Sequence, residues 1–296
     1  MQEVIVLGGG ASGMTAAICA ARNGSRVMLL EKGTKLGRKI AASGNGKCNL
    51  TNAQINSSFY HDAYGNELNS ILAKCDREAI LFFMKSIGIR CKEKKGYYYP
   101  ISEQAAVVVQ MLQAELEYLQ VQMALEERVT DIIPEKKGGF SVITEKRKLR
   151  AHKVILSSGG MAAPKLGAEA TGYNILKSLG HTVNPTYPAL VQLTAKERYL
   201  KKISGVRTEA KLCLKIKGHK YLEEGEILFT DNGISGIPVF QLSRYVGEAL
   251  RNGEEVILAL NVIPSCNMNE LKNDMIELIH HNPELSIEYL FRSVCN

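Results

Sequence analysis

No uninterrupted apolar stretch in the 296 residues approaches the ~18 that a membrane-spanning helix needs, and no basic segment precedes an apolar one at the N-terminus. With 45% hydrophobic residues, the composition is that of a soluble globular chain, and a cytoplasmic protein without membrane contact is expected. Cysteine is sparse and scattered. The seven thiols, Cys19, Cys48, Cys75, Cys91, Cys213, Cys266 and Cys295, never stand in CxxC spacing, which argues against a disulfide framework or a zinc site. The six histidines show no metal-ligand spacing, so no metal is expected, and no serine, histidine and acid series stands out. Side chains that would carry out chemistry by themselves are therefore not visible, which points to a cofactor as the bearer of the reactive atom. Lysine and arginine exceed aspartate and glutamate by 37 to 30, but the basic residues are dispersed, and nucleic-acid contact is not expected.

What is present is concentrated between Val4 and Glu31. The apolar run Val4 to Leu7 reads as a strand buried on both faces, and it leads into Gly8, Gly10 and Gly13 at GxGxxG spacing. Gly8 suits a tight turn, Gly10 lets backbone approach a pyrophosphate, and Gly13 lets the following helix pack close to the strand. Ala11, Met14, Ala17, Ile18 and Ala21 fall at helical spacing, Gly24 ends the helix, and Val27 to Leu30 form a second buried strand. Glu31 follows at once, placed to accept hydrogen bonds from a ribose hydroxyl pair. The whole series reads as a dinucleotide site with its phosphates at the helix N-terminus.

From Leu36 to Asn52 runs a polar, glycine-rich loop in which Arg38, Lys39 and Lys47 can approach phosphate or a ring edge, while Gly44 and Gly46 let amides face a planar ligand. A helical region from about Glu67 to Gly88 is expected to be core. Ser102 suits the N-cap of a helix whose Val107, Val108, Met111, Leu112, Leu116 and Leu119 share a face. The runs VQMALE, VTDII, FSVIT and KVILSS read as a small β-meander that returns to the main sheet at a second glycine turn, Gly159 and Gly160. Near residues 185–188 the pattern shifts to alternation with solvent-facing lysines, the mark of an antiparallel sheet with one wet face. This order, a cationic loop and a meander instead of further strand and helix units, favours FAD over a simple nicotinamide enzyme.

The segments VIVLGGGASGMTAA, LEKGTKLGRKIAASGNGKCNLTN, VILSSGGMAAPKLG, PALVQL and ILFTDNGISGIPVFQLSR resemble the BaiN/YhiN-like family of bacterial flavoproteins, whose members carry names such as 3-dehydro-bile acid Δ4,6-reductase or aminoacetone oxidase. The resemblance implies an α/β fold: a two-dinucleotide-binding FAD/NAD(P) Rossmann-like domain with the β-meander over residues 1–188, and an inserted antiparallel β-barrel and helical domain over 189–296. It implies that Gly8, Gly10, Ala11, Ser12, Gly13, Glu31 and Lys32 hold the ADP half of FAD. Gly37, Arg38, Lys39, Ser43, Gly44, Asn45, Gly46, Lys47, Cys48 and Asn49 would lie along the pyrophosphate and flavin, with Val129, Gly159 and Gly160 completing the site and the Gly233 to Gly236 loop facing the flavin. Lys47 stands where the family usually has arginine, and GAEATGY departs from the family pattern, so no contact is assigned there. In the family a C-terminal segment closes the FAD domain after the insert, and a chain ending at Asn296 is expected to be truncated.

The reaction implied is NAD(P)H-driven, flavin-mediated hydride transfer to an activated C=C bond of a small hydrophobic substrate, with Lys47 or Arg38 stabilising developing negative charge. An aminoacetone-type oxidase, an RNA-associated flavoprotein and an inactive truncated remnant are the alternatives.

Overall fold

The computed structural model describes residues 2–60, 66–284 and 286–292 and divides into two compact units, Met1–Val183 and Asn184–Asn296. In the first unit, β1 (Gln2–Leu7), α1 (Ala11–Arg22) and β2 (Val27–Leu30) form a parallel crossover with Val4 opposite Val27 and Leu7 opposite Leu30. Apolar residues on both faces of β1 explain its central place. Val4 and Val6 face α1, where Gly13, Met14, Ala17 and Ile18 are buried, while Ile5 and Leu7 join the opposite core with Ile132, Val142 and Ile175. Helix α1 ends where Gly24, at φ 84°, takes the left-handed conformation and donates its N–H to Ala21 O.

After β2 come α2 (Arg38–Ala42), β3 (Thr51–Asn52), α3 (Asn66–Lys74), α4 (Arg77–Ser86), β4 (Cys91–Lys94), β5 (Tyr97–Pro100), α5 (Ala105–Tyr118), β6 (Gln122–Ala124), β7 (Val129–Pro134), β8 (Phe140–Thr144), β9 (Lys148–Leu156) and α6 (Thr171–Ser178). The main sheet runs β6-β2-β1-β9-β8-β7, and β3-β5-β4 make a small separate sheet. Three local expectations are revised. The run VQMALE is not part of the meander: β6 pairs parallel with β2 at the sheet edge, and the meander comprises β7, β8 and β9. The helical stretch from Glu67 is two helices divided by Asp76, which caps α4 by accepting from Ala79 N, and α4 is a surface helix with Phe82 75% exposed. Helix α5 starts at Ala105 rather than after Ser102, and buries Ala105, Val108, Val109, Leu112 and Leu116 against α1 and α2, so packing and not a cap fixes its start.

The second unit contains β10 (Leu193–Thr194), β11 (Arg207–Ile216), β12 (His219–Thr230), β13 (Gly233–Ser235), α7 (Ile237–Arg251), β14 (Val256–Asn261), α8 (Met268–His281) and α9 (Ile287–Arg292). Its antiparallel sheet runs β10-β13-β12-β11-β14. The expected wet face is present. Ala210, Leu212, Leu214 and Ile216 alternate inward with Ile227 against Val239, Leu242 and Val246 of α7, while Glu209, Lys211 and Lys215 point to solvent. Truncating Leu214, which is fully buried, to alanine leaves a cavity and should lower stability by about 2–5 kcal/mol in urea-induced unfolding.

Candidate functional site

The carboxyl ends of β1, β2 and β9 meet at the glycine turn, the position at which open α/β sheets bind ligands. Gly8 N–H donates to Leu30 O at 2.8 Å, and Ser157 N–H donates to Leu7 O at 2.9 Å, so the three strand ends are tied together. At Gly8, with φ 101°, an added Cβ would lie 2.5 Å from Ser157 O, so β9 as well as the turn demands glycine there. At Gly13 a Cβ would lie 1.8 Å from Gly8 O, which is the close helix-to-strand approach expected of that position. Gly10 is different: its Cβ would meet nothing within 4 Å, leaving open space over the helix entrance. It is also the N-cap of the twelve-residue α1 and offers no side-chain acceptor, so the first N–H groups and the positive dipole end are available to an anion.

Glu31 braces this turn. Its Oε2 accepts from Gly9 N–H and its Oε1 from Gly33 N–H, both at 2.7 Å. The next peptide group is held too, because Gly37 N–H donates to Gly9 O at 2.8 Å. That contact anchors the polar stretch, which is not an extended loop: Ile40 is buried and draws residues 38–42 into α2, followed by a tight turn at Ser43–Gly46.

A cleft of about 510 Å³, within the ~300–1,000 Å³ range of ligand pockets, opens over these groups. Gly8, Gly10, Ala11, Ser12, Glu31, Lys32, Gly37, Arg38, Lys39, Ser43, Cys48, Asn49 and Gly159 line it. Gly13 lies beneath it, and Gly44, Asn45, Gly46 and Lys47 are not in its wall. Lys47 instead joins Lys92 on the Glu103 carboxylate, at 3.1 and 2.6 Å, and hydrogen bonds from Lys92 and Lys47 hold Glu103 down to about 2. Gly160 packs against Tyr173, whose hydroxyl would be 2.6 Å from an added Cβ. Val129 lines a smaller neighbouring cavity of about 60 Å³, together with Glu31, Lys32, Arg128 and Glu169.

Sequence reasoning missed several wall residues. Lys35 and Ser157 adjoin stretches already singled out, whereas Val108 and Leu112 reach the cleft from α5, an approach with no local signal. Among the described residues, Lys35, Arg38 and Lys39 pair with no carboxylate, although Arg38 does reach Lys165 O at 3.5 Å. The Ser157 hydroxyl is buried without a partner among the described residues. Unpaired cations, free helix amides, an orphaned hydroxyl and space at Gly10 form a donor set that fits the pyrophosphate of FAD. Cys48, at φ 59°, is buried in the wall, and burial pushes its thiol up while a hydrogen bond with Ser43 opposes this, so it presents a neutral surface.

GAEATGY supplies a contact the sequence left unassigned. Glu169 accepts from Lys32 Nζ at 2.8 Å and from Arg128 at 2.6 Å. Burial raises its carboxyl, but hydrogen bonds from Arg128, Lys32 and Thr171 together outweigh that and bring it from the usual 4.5 to about 2. A depressed carboxylate contributes stability that is complete above 4.5 and lost as pH falls through about 2. Glu169→Gln should therefore flatten the pH dependence of unfolding free energy between pH 4.5 and 2, as read from urea titrations of both proteins.

Residues 2–252 match the family model described as HI0933-like protein Rossmann domain. The chain is 38% identical over 276 residues to a 3-dehydro-bile acid Δ(4,6)-reductase of Clostridium scindens, covering 92% of this chain and 67% of that protein. It is 30% identical over 275 residues to a ribosomal RNA dihydrouridine synthase of Escherichia coli, covering 92% of this chain and 66% of the relative. Among solved structures, the open conformation of a flavocytochrome c3 fumarate reductase aligns over 70% of this chain and 46% of that one, with TM-score 0.49 and 15% identity. No described helix is long and apolar enough to cross a membrane. With a family model matched over most of its length, the chain belongs to the HI0933-like family and has the FAD-binding Rossmann fold of an oxidoreductase.

Proposed function

We propose that this chain forms the cofactor-holding part of an FAD-dependent reductase that uses NAD(P)H to saturate a ring carbon–carbon double bond conjugated to a carbonyl. The observation that carries this reading is the cleft at the carboxyl ends of β1, β2 and β9, where unpaired cations and free amides converge beside the Glu31 carboxylate. The relatives' names support the reaction class. One reduces the Δ4,6 system of a 3-dehydro bile acid and the other makes dihydrouridine in ribosomal RNA; in chemical terms both saturate a ring alkene next to a carbonyl.

FAD, when bound, supplies hydride acceptance and hydride donation. The chain's own residues supply binding, charge and exclusion of water. The first amides of α1, with Ser12 and the Ser157 hydroxyl, hold the pyrophosphate, and Gly10 leaves it room. Glu31, fixed by two amides, keeps lone pairs for the ribose hydroxyls and disfavours a 2′-phosphate. Arg38 and Lys39 place positive charge where negative charge develops, and Ile40, Leu50, Met84 and Leu112 give the cleft an apolar floor.

The second relative also favours a reading in which the substrate is a uridine of RNA, to which a net charge of +7 is suited. Salt-sensitive retention of RNA with formation of dihydrouridine supports it, while reduction of a free enone without RNA retention supports the small-molecule reading. Peroxide release with aminoacetone, and no response to NAD(P)H, would mark an oxidase instead.

Purified protein should take up FAD and lose its flavin absorbance on anaerobic addition of NADPH or NADH; failure to take up FAD refutes the proposal. Gly10→Ala places a methyl group in open space, so the fold should be unchanged, whereas FAD affinity should fall by about tenfold to a hundredfold, the steric equivalent of ~1–3 kcal/mol. Gly13→Ala gives the opposite pattern, a protein destabilised by at least ~1–3 kcal/mol even without ligand.

A further inference from the structure

We infer that the second unit carries a docking surface for single-stranded nucleic acid, built on the turn Arg198–Ile203, in which Tyr199 stacks on a base while Lys196, Arg198, Lys201 and Lys202 meet the phosphates. The inference concerns a surface of that unit and goes beyond the reduction chemistry above; it supplies the RNA reading with a contact site without depending on that reading.

Charge carries the first part of it. The chain's excess of base is concentrated: residues 196–220 hold nine lysines and arginines against two acids, Glu197 and Glu209, an excess equal to the whole formal net charge of +7. Three of these cations are compensated, Arg207 by Glu226, Lys211 by Glu224 and Lys217 by Glu254. Lys196, Arg198, Lys201 and Lys202 are exposed and pair with no carboxylate among the described residues. Like charges held together without partners repel one another, and a chain of phosphates relieves that repulsion while releasing its own counterions.

Geometry carries the second part. The turn is a 3-10 helix, so residues three apart lie on one ridge, ~6 Å from each other along the axis. Leu200, 2% exposed, and Ile203 form the inward ridge and pack into the core of the unit. Gly205 N–H donates to Phe229 O and Phe229 N–H to Val206 O, which ties the end of the turn to β12. Arg198 with Lys201, and Tyr199 with Lys202, are thereby held outward on the other two ridges, and Tyr199 is 60% exposed. A ridge step of ~6 Å is close to the spacing of successive phosphates on an extended single strand. An aromatic face among cations is the combination that holds such strands, the charges following the backbone and the ring taking a base. A lipid surface is the poorer fit, because Leu200 and Ile203, the apolar side chains that would enter it, are turned into the core.

The experiment follows the fluorescence anisotropy of a labelled dodecauridylate titrated with the protein at several salt concentrations. Four phosphate contacts should give a slope of log Kobs against log[salt] of about −3. Lys201→Ala combined with Lys202→Ala should make that slope shallower by about 1.4. Tyr199→Ala should weaken binding about tenfold at unchanged slope, and Tyr199→Phe should retain it. Lys136→Ala combined with Lys137→Ala, which removes two exposed lysines of the first unit, should change nothing. Every substituted side chain is exposed, so folding, checked by circular dichroism, should be unaltered. No binding, silence of either Tyr199→Ala or the Lys201 and Lys202 pair, or an equal loss in the Lys136 and Lys137 control overturns the inference. Retention on phosphatidylserine vesicles without oligonucleotide binding overturns it as well. An oligonucleotide that binds as described but is not reduced at uridine leaves the surface standing and refutes only RNA as the substrate. Uridine reduction by a protein in which Tyr199→Ala is silent does the reverse.

Discussion

The first turn of α1 packs so closely on the end of β1 that any Cβ at Gly13 would lie 1.8 Å from the Gly8 carbonyl oxygen. That contact fixes where the helix begins, and therefore where its free N–H groups point. Because Gly8 also receives the end of β9, a Cβ there being 2.5 Å from Ser157 O, the same few atoms define the meeting place of helix, first strand and return strand. A wider helix-to-strand spacing would move the amides of Ala11 and Ser12 away from the cleft and separate them from Ser157, the hydroxyl with no partner among the described residues.

The rest of the site is built outward by holding one residue at both of its backbone polar groups. Gly9 donates its N–H to Glu31 and accepts at its carbonyl from Gly37, so the end of β2 and the start of α2 are both referenced to the glycine turn. Glu31 thus has a structural task in addition to its proposed ribose contact. From Gly37 the chain delivers Arg38 and Lys39 to one wall, and the buried Ile40 keeps that wall in place. Lys47 is restrained separately, through Glu103, which ties the turn after α2 to the segment preceding α5. Charges near the cleft are therefore of two kinds: Lys35, Arg38 and Lys39 remain without carboxylate partners among the described residues, whereas Lys32 and Lys47 are neutralised by Glu169 and Glu103. Only the first group presents uncompensated charge to a ligand.

Local sequence determined much of this. Continuous apolar residues in β1 and β2, glycines at fixed spacing, a small-residue helix face and the acid at the strand end require only nearest neighbours and backbone conformation, so the crossover, the turn at Gly8 and the close packing at Gly13 were legible. Alternation along β11 likewise announced a sheet with one face in water. Membership of the wall at long range was not legible. Val108 and Leu112 look like ordinary core residues of α5, and nothing in their spacing says that they border a cleft. The partners of charged groups were hidden for the same reason: Glu169 meets Lys32 and Arg128, and Glu103 meets Lys47 and Lys92, across separations that no short motif encodes.

Tertiary packing also decided the boundaries of elements. The run around Gln122–Ala124 has strand character in either setting, but an open edge of β2 captures it in parallel and removes it from the meander. Phe82 lies in an apolar stretch yet faces solvent, because α4 packs through Phe83 and Met84. By itself, then, the sequence determined the dinucleotide crossover and the class of ligand it grips, since those follow from backbone freedom and short-range periodicity. Only the tertiary structure decided which cations stay free and which hydroxyls stay unpaired, because each depends on groups far apart in the chain arriving within a few ångströms of one another.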